Sequence, residues 1–164
     1  AEVARALESL VASGKARAVG VSNYTHLQVA ALIAHLPIPL ASIQPEFSPL
    51  VLEPLVDGTL DLAMQHRISV LAWSPLAGGR LGDPGEDQHA QRVCVELDRQ
   101  AQRCGVSRAA ATYAWSMAHP AGIIPIVGSQ QPSRIRAAAA AYQVEWTRAD
   151  WYRVLVASRG VALP

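Results

Sequence analysis

Residues 68–82 read ISVLAWSPLAGGRLG, and the two halves ask for different structures. Ile68 to Ala72 is apolar and short, the pattern of one strand buried on both faces. Ser74 to Arg80 is a turn in which Gly78 and Gly79 let the backbone come close to a ligand. Arg80 adds a fixed positive charge, and Trp73 stands where the strand runs out. Two readings stay open on these residues alone. One is the rim of a nucleotide pocket; the other is a buried strand followed by an ordinary tight loop.

Working outward, strands alternate with helices. Upstream, Glu2–Ala12 has Val3, Leu7, Leu10 and Val11 at helical spacing, and Gly14 closes it. Ala16–Val21 reads as a strand. Thr25 then caps a helix with an apolar stripe of Val29, Leu32, Ile33 and Leu36. Leu40–Glu46 is the next strand, interrupted near its end by Pro45. Asp57 is expected to cap a helix reaching Arg67. Downstream, residues 82–90 read as a polar loop. Helices follow over Gln91–Cys104 and Ser107–His119, then a strand over Ile123–Val127 and a helix from Pro132 to Tyr142. Thr147 and Asp150 have capping-box spacing at the start of the last helix, with Trp146 and Trp151 in the staple positions.

This order means right-handed βαβ units and a parallel sheet, an α/β fold. A doubly wound open sheet fits, and so does a (β/α)8 barrel. A barrel needs eight strands and typically about 250 residues. With four strands in 164 residues, the chain would be half of one. No linker divides it, so residues 1–164 read as a single domain. The chain opens on Ala1, not methionine, which suggests a processed chain or a fragment.

Composition removes several classes of function. Half the residues are apolar and the net charge is +1, which gives no reason to expect nucleic acid or a membrane surface as partner. No apolar run approaches a membrane span. Cys94 and Cys104 lack metal-ligand neighbours at short spacing and read as reduced thiols in a cytoplasmic protein.

In either architecture a ligand sits at the carboxyl ends of the strands. Those ends carry Ser22-Asn23, Gln44, Glu46, Phe47, Trp73-Ser74 and Gly128-Ser129-Gln130. Amides, hydroxyls and an indole can stack on a planar heteroaromatic ring and orient an amide by hydrogen bonds. They are poor acid–base groups. Glu46 is the sole carboxylate at a strand end, whereas glycosidase chemistry needs a facing pair. The five histidines fall on helices or loops away from the rim. Ser129, with Arg134 at a helix start opened by Pro132, suits a phosphate monoester; the other reading of these residues is an N-cap serine and a solvated arginine.

Taken together, GKARAVGVSNY, ASIQPEFSPL, ISVLAWSPLAGGRL and IIPIVGSQQPSRI resemble the C-terminal half of the aldo-keto reductase superfamily, in the family's order and over almost the whole chain. DGTLDLAMQHR followed by AWSPLAGGRL is especially similar to the YdhF-type oxidoreductases of bacteria. The resemblance implies that Ser22, Asn23 and Gln44 hold a nicotinamide carboxamide and that Trp73 stacks on the nicotinamide ring. Ser74, Leu76, Gly78 and Arg80 would border the pyrophosphate. Ser129 and Arg134 would take the 2′-phosphate, which favours NADPH over NADH. Ile43 replaces an Asn common in the family, and Ala137 and Ala138 stand where many members place polar groups against adenine.

The family's catalytic Asp, Tyr, Lys and His come from four N-terminal strands outside this sequence, so no catalytic residue is assigned. The expected function is the NADPH-binding half of a carbonyl reductase. Its partners would be NADPH and a small carbonyl substrate in the whole barrel. The edges at Ala16–Val21 and Ile123–Val127 would pair with the missing half or self-associate. The alternative is a non-catalytic binding or scaffold protein that retains the fold.

Overall fold

The computed structural model describes residues 1–162. Helix α1 (Glu2–Ala12) closes through a turn in which the Ala16 N–H donates to the Leu10 carbonyl at 3.1 Å. That turn takes residues expected to open the first strand, so β1 is Val19–Ser22. Helix α2 (His26–Ile33) starts at Thr25, and Gln28 completes a reciprocal capping box. Strand β2 (Leu40–Gln44) stops before Pro45, which has no N–H to donate.

A short helix, α3 (Glu53–Val56), was not visible in the sequence pattern. In α4 (Thr59–His66) the cap position is Gly58, at φ 92°. Asp57 lies one residue earlier and accepts the Thr59 N–H at 2.8 Å. Strand β3 is Ser69–Ala72. Helix α5 (Gln88–Cys104) begins three residues before the expected Gln91, because Asp87 accepts the N–H groups of His89 and Ala90. Helix α6 (Arg108–Met117) starts at Ser107. Strand β4 shrinks to Ile124–Pro125, though the Ile126 N–H still reaches the Ala72 carbonyl at 2.8 Å. Helix α7 (Pro132–Ala138) tightens into a 3-10 turn over Ala139–Gln143, and α8 (Arg148–Arg159) ends at Gly160.

All four strands are parallel, in the order β1-β2-β3-β4. Each crossover moves one strand further in the same direction. A doubly wound sheet would reverse at a switch point. An order without reversal is an arc of a (β/α)8 barrel. The register separates the two faces. Val21, Ile43 and Val70 share one row and pack under the helices. Gly20, Ser42 and Ser69 share the opposite row, where space is short: a Cβ on Gly20 would stand 2.3 Å from Ser42 Oγ.

The helix side is organised by stacked aromatic rings. Phe47 lies 5.8 Å from Trp115, and Trp115 lies 4.8 Å from Trp151 with the rings 7° apart. Each indole N–H donates to the other tryptophan's backbone carbonyl, Trp115 to Trp151 at 3.1 Å and Trp151 to Trp115 at 2.9 Å. Next to this stack, Asp150 binds α8 to α5. Its N–H donates to Thr147 Oγ1, while its carboxylate takes the Thr147 hydroxyl, Arg103 and Arg153. The capping box is therefore incomplete. The carboxylate of Asp150 receives the Thr147 hydroxyl, not the backbone N–H that a longer Glu would reach.

Candidate functional site

The strand ends form a hydrogen-bonded rim. Parallel pairing carries β1, β2 and β3 out to one edge, and the chain continues the pairing one step beyond β3, with Glu46 opposite Trp73. The Trp73 N–H donates to the Pro45 carbonyl (3.1 Å), and the Phe47 N–H donates to the Trp73 carbonyl (3.3 Å). The Trp73 indole N–H donates to Asn23 Oδ1 at 2.8 Å. This bond spans fifty residues of sequence and holds the half-buried ring in place. With Oδ1 engaged, the amide N–H groups of Asn23 remain available as donors. The Ser22 hydroxyl and the Asn23 N–H both donate to the Gln44 carbonyl, at 3.0 and 3.2 Å.

After Trp73 the backbone enters a left-handed turn. Ser74, Ala77 and Gly78 have φ of 52°, 51° and 66°. Ser74 Oγ accepts the Gly78 N–H at 2.8 Å, and the Ala77 N–H donates to the Ser74 carbonyl at 2.7 Å. Asn23 is also left-handed, at φ 56°. Such conformations cost non-glycine residues stability and gather where a backbone must present itself to a ligand. Leu76 packs inward against a small core that includes Tyr113, Val127 and Ala138. That contact ties the turn to the end of β4 and to α7.

Arg80 is not free. Its guanidinium meets Asp87 with Nη2 at 2.8 Å and Nε at 3.0 Å. The Ala90 N–H and the Arg80 guanidinium hold the Asp87 carboxyl below the usual carboxylate range. Asp87 was missed as part of this site. Its signal was its place just before the apolar periodicity of α5, where an N-cap belongs.

Ser129 and Arg134 lie on the loop after β4 and on α7. Ser129 Oγ accepts the Gln131 N–H at 3.2 Å, which leaves its hydroxyl proton to donate. Arg134 is exposed, with no carboxylate partner among the described residues. The bonds thus join Ser22, Asn23, Gln44 and Trp73 into one unit and Ser74 and Gly78 into a second. Leu76 reaches toward α7, and Ser129 and Arg134 make no bond to either unit. A groove of about 500 Å3 opens beside Asn23, with Tyr24, Glu46, Glu53 and Asp57 among its walls. The sequence did not point to this groove, because Glu53 and Asp57 stand at the two ends of α3, a helix too short to show in the sequence pattern.

The sequence pattern of the Aldo/keto reductase family matches residues 1–156. A chain with consecutive parallel βα units, a strand-end rim and that match belongs to the aldo-keto reductase family. A 6-dehydroglucose reductase of Novosphingobium aromaticivorans is 53% identical over 163 residues, 99% of this chain and 53% of the relative. The oxidoreductase YdhF of Escherichia coli is 41% identical, over 99% of this chain and 54% of its own length. Among solved structures, a thermostable aldo-keto reductase, Tm1743, superposes with a TM-score of 0.82 over 93% of this chain and 53% of its own, at 20% identity, a likeness of fold. Aldose reductase from Giardia lamblia gives 0.76 at 26% identity, over 98% of this chain and 51% of its own. The chain spans about half the length of the relatives it matches.

Proposed function

We propose that this chain is the C-terminal, cofactor-binding half of an NADPH-dependent carbonyl reductase. The observation that carries the reading is the Asn23–Trp73 bond, which holds an aromatic face beside free amide donors at the strand ends. Those groups suit a nicotinamide ring and its carboxamide, with Ser22 and Gln44 alongside. The left-handed turn of Ser74 and Gly78, with Leu76 between them, would border the pyrophosphate. The unpaired Arg134 and the Ser129 hydroxyl match the charge and acceptors of a 2′-phosphate, and so favour NADPH over NADH. When bound, the cofactor supplies a hydride. This chain's residues stack on the ring, orient the amide and anchor the phosphates. Proton donation to the carbonyl belongs to residues outside this sequence, so the chain alone is expected to bind without turnover.

Half of a barrel leaves β1 and β4 as edges, and pairing with a complementary half, or with a second copy, would cover them. The name of the Novosphingobium relative makes an oxidised hexose the first carbonyl to try in the whole barrel. The acceptors Glu46, Glu53 and Asp57 beside Asn23 suit sugar hydroxyls. A cytoplasmic setting belongs to the same reading, with both cysteines free.

A second reading, a non-catalytic protein that keeps the fold, draws on the Arg80–Asp87 pair, which engages the charge expected at the pyrophosphate. Titration with NADPH and NADH, followed by tryptophan fluorescence, separates the two. Saturable quenching that prefers NADPH, is lost in Trp73→Phe and loses its preference in Arg134→Gln supports the first. Its absence, both alone and after a relative's N-terminal half is added, supports the second.

A further inference from the structure

A second cavity shares no residue with the rim. It holds about 610 Å3 between α3, the turn after α6 and α8, a volume within the range of small-molecule sites. Its walls are mainly apolar and aromatic: Leu55, Trp151, Tyr152 and Leu155 line it. Arg148 and His119 add polar groups to this surface, beside the Trp146 indole N–H, which has no partner among the described residues. The Arg148 guanidinium lies 5.6 Å from the centre of the Tyr152 ring and has no carboxylate partner among the described residues. His119 Nδ1 accepts the Ala121 N–H at 3.2 Å, which assigns the ring proton to Nε2. Burial lowers the His119 pKa against the opposing pull of Asp61, which favours the neutral ring with Nε2–H as the donor.

We propose that this slot binds a flat aromatic carboxylate. The ring would lie among Trp151, Tyr152 and the two leucines, and the carboxylate would meet Arg148, with His119 as a second donor. The aromatic walls select a planar apolar body. The guanidinium fork selects a carboxylate, because two parallel N–H bonds match its two oxygens. A cationic ligand would face Arg148 without compensation. A neutral ligand could accept from these donors but would lose the charge-assisted, two-pronged contact with Arg148.

The test uses 1-naphthoate, naphthalene-1-methanol and 1-naphthylmethylammonium as probes, titrated by calorimetry into the whole 164-residue chain. Saturable binding of naphthoate is expected, about tenfold tighter than the alcohol, with none of the ammonium. Arg148→Gln, an exposed position at the start of α8, should bring naphthoate down to the level of the alcohol. Leu55→Trp should fill the slot and weaken both. An excess of NADPH should leave naphthoate binding unchanged, because the rim is elsewhere. The proposal fails if naphthoate does not saturate by about 1 mM. It also fails if the alcohol binds equally well, if a folded Arg148→Gln chain keeps the preference, or if NADPH displaces the probe. The comparison of the three probes needs no variant, so it stands even if both substitutions impair folding.

Discussion

The strand-end rim and the aromatic stack are both built around a tryptophan, and they use it in opposite ways. Trp115 is fully buried, sandwiched between Phe47 and Trp151, with its N–H bonded to a backbone carbonyl. Trp73 is half-buried, bonded to an exposed side chain, and set among residues with left-handed backbones. The stack satisfies each of its own groups. The rim leaves an aromatic face and amide donors open. Stability and readiness for a ligand are therefore assigned to different tryptophans, and strain at the strand ends is tolerated because the stack that begins at Phe47 supplies packing next to them.

The sharpest way to break this contrast is to truncate both rings. Trp115→Ala should cost about 3–5 kcal/mol, through the cavity it leaves and the lost bond to Trp151, read from urea midpoints. Trp73→Ala should cost about 1 kcal/mol, the scale of one lost hydrogen bond, while abolishing the NADPH-dependent quenching. Equal losses would mean that the rim is a structural element and not a prepared surface.

A smaller effect tests what holds the stack in place. Asp150→Asn should cost about 1–3 kcal/mol, because Arg103, Arg153 and Thr147 lose a charged acceptor. The Arg103 bond, followed by the Thr147 bond, lowers the Asp150 pKa in the folded state. The stability it contributes is thus present above the unfolded value of about 4 and is lost as pH falls through the lower folded value. Unfolding midpoints measured from neutral to acid pH should converge for the parent and Asp150→Asn chains. Parallel profiles would remove Asp150 from the account of acid stability.

The smallest effect separates strain that serves a site from strain that does not. Arg67 is another non-glycine residue at positive φ (55°), exposed at the end of α4 and distant in sequence from every rim residue but the Trp73 turn. Arg67→Gly should stabilise the chain by up to about 1 kcal/mol without altering cofactor titration. A change in NADPH affinity would show that the end of α4 and the rim are coupled.

Much of the fold was legible because the signals were local. Thr25 and Thr147 each cap the helix that follows, since a short hydroxyl side chain before an apolar period has one good use there. The strand cores around Val21, Ile43 and Val70 were readable from apolar runs. The ends were less so. The start of β1 was lost to the turn that closes α1, and β4 kept only two residues, because their limits depend on which neighbour is present to pair with them. Helix α3 carries too few residues for any period to show.

At the rim, the sequence placed Ser22, Asn23, Gln44 and Trp73 at strand ends. It could not show that the Trp73 indole bonds to Asn23, because fifty residues separate them. Nor could it show that Arg80 pairs with Asp87 across a loop, or that Leu76 turns inward to the core beside α7. The sequence by itself determined the alternation of strands and helices, the caps at Thr25 and Thr147 and the residue types at the strand ends, all of which rest on neighbours within a few positions. The tertiary structure alone decided the strand order, the pairing of the tryptophans across the helix side and the slot beside Arg148. Each of these is a contact between segments far apart in the chain, and its formation depends on how the intervening helices pack.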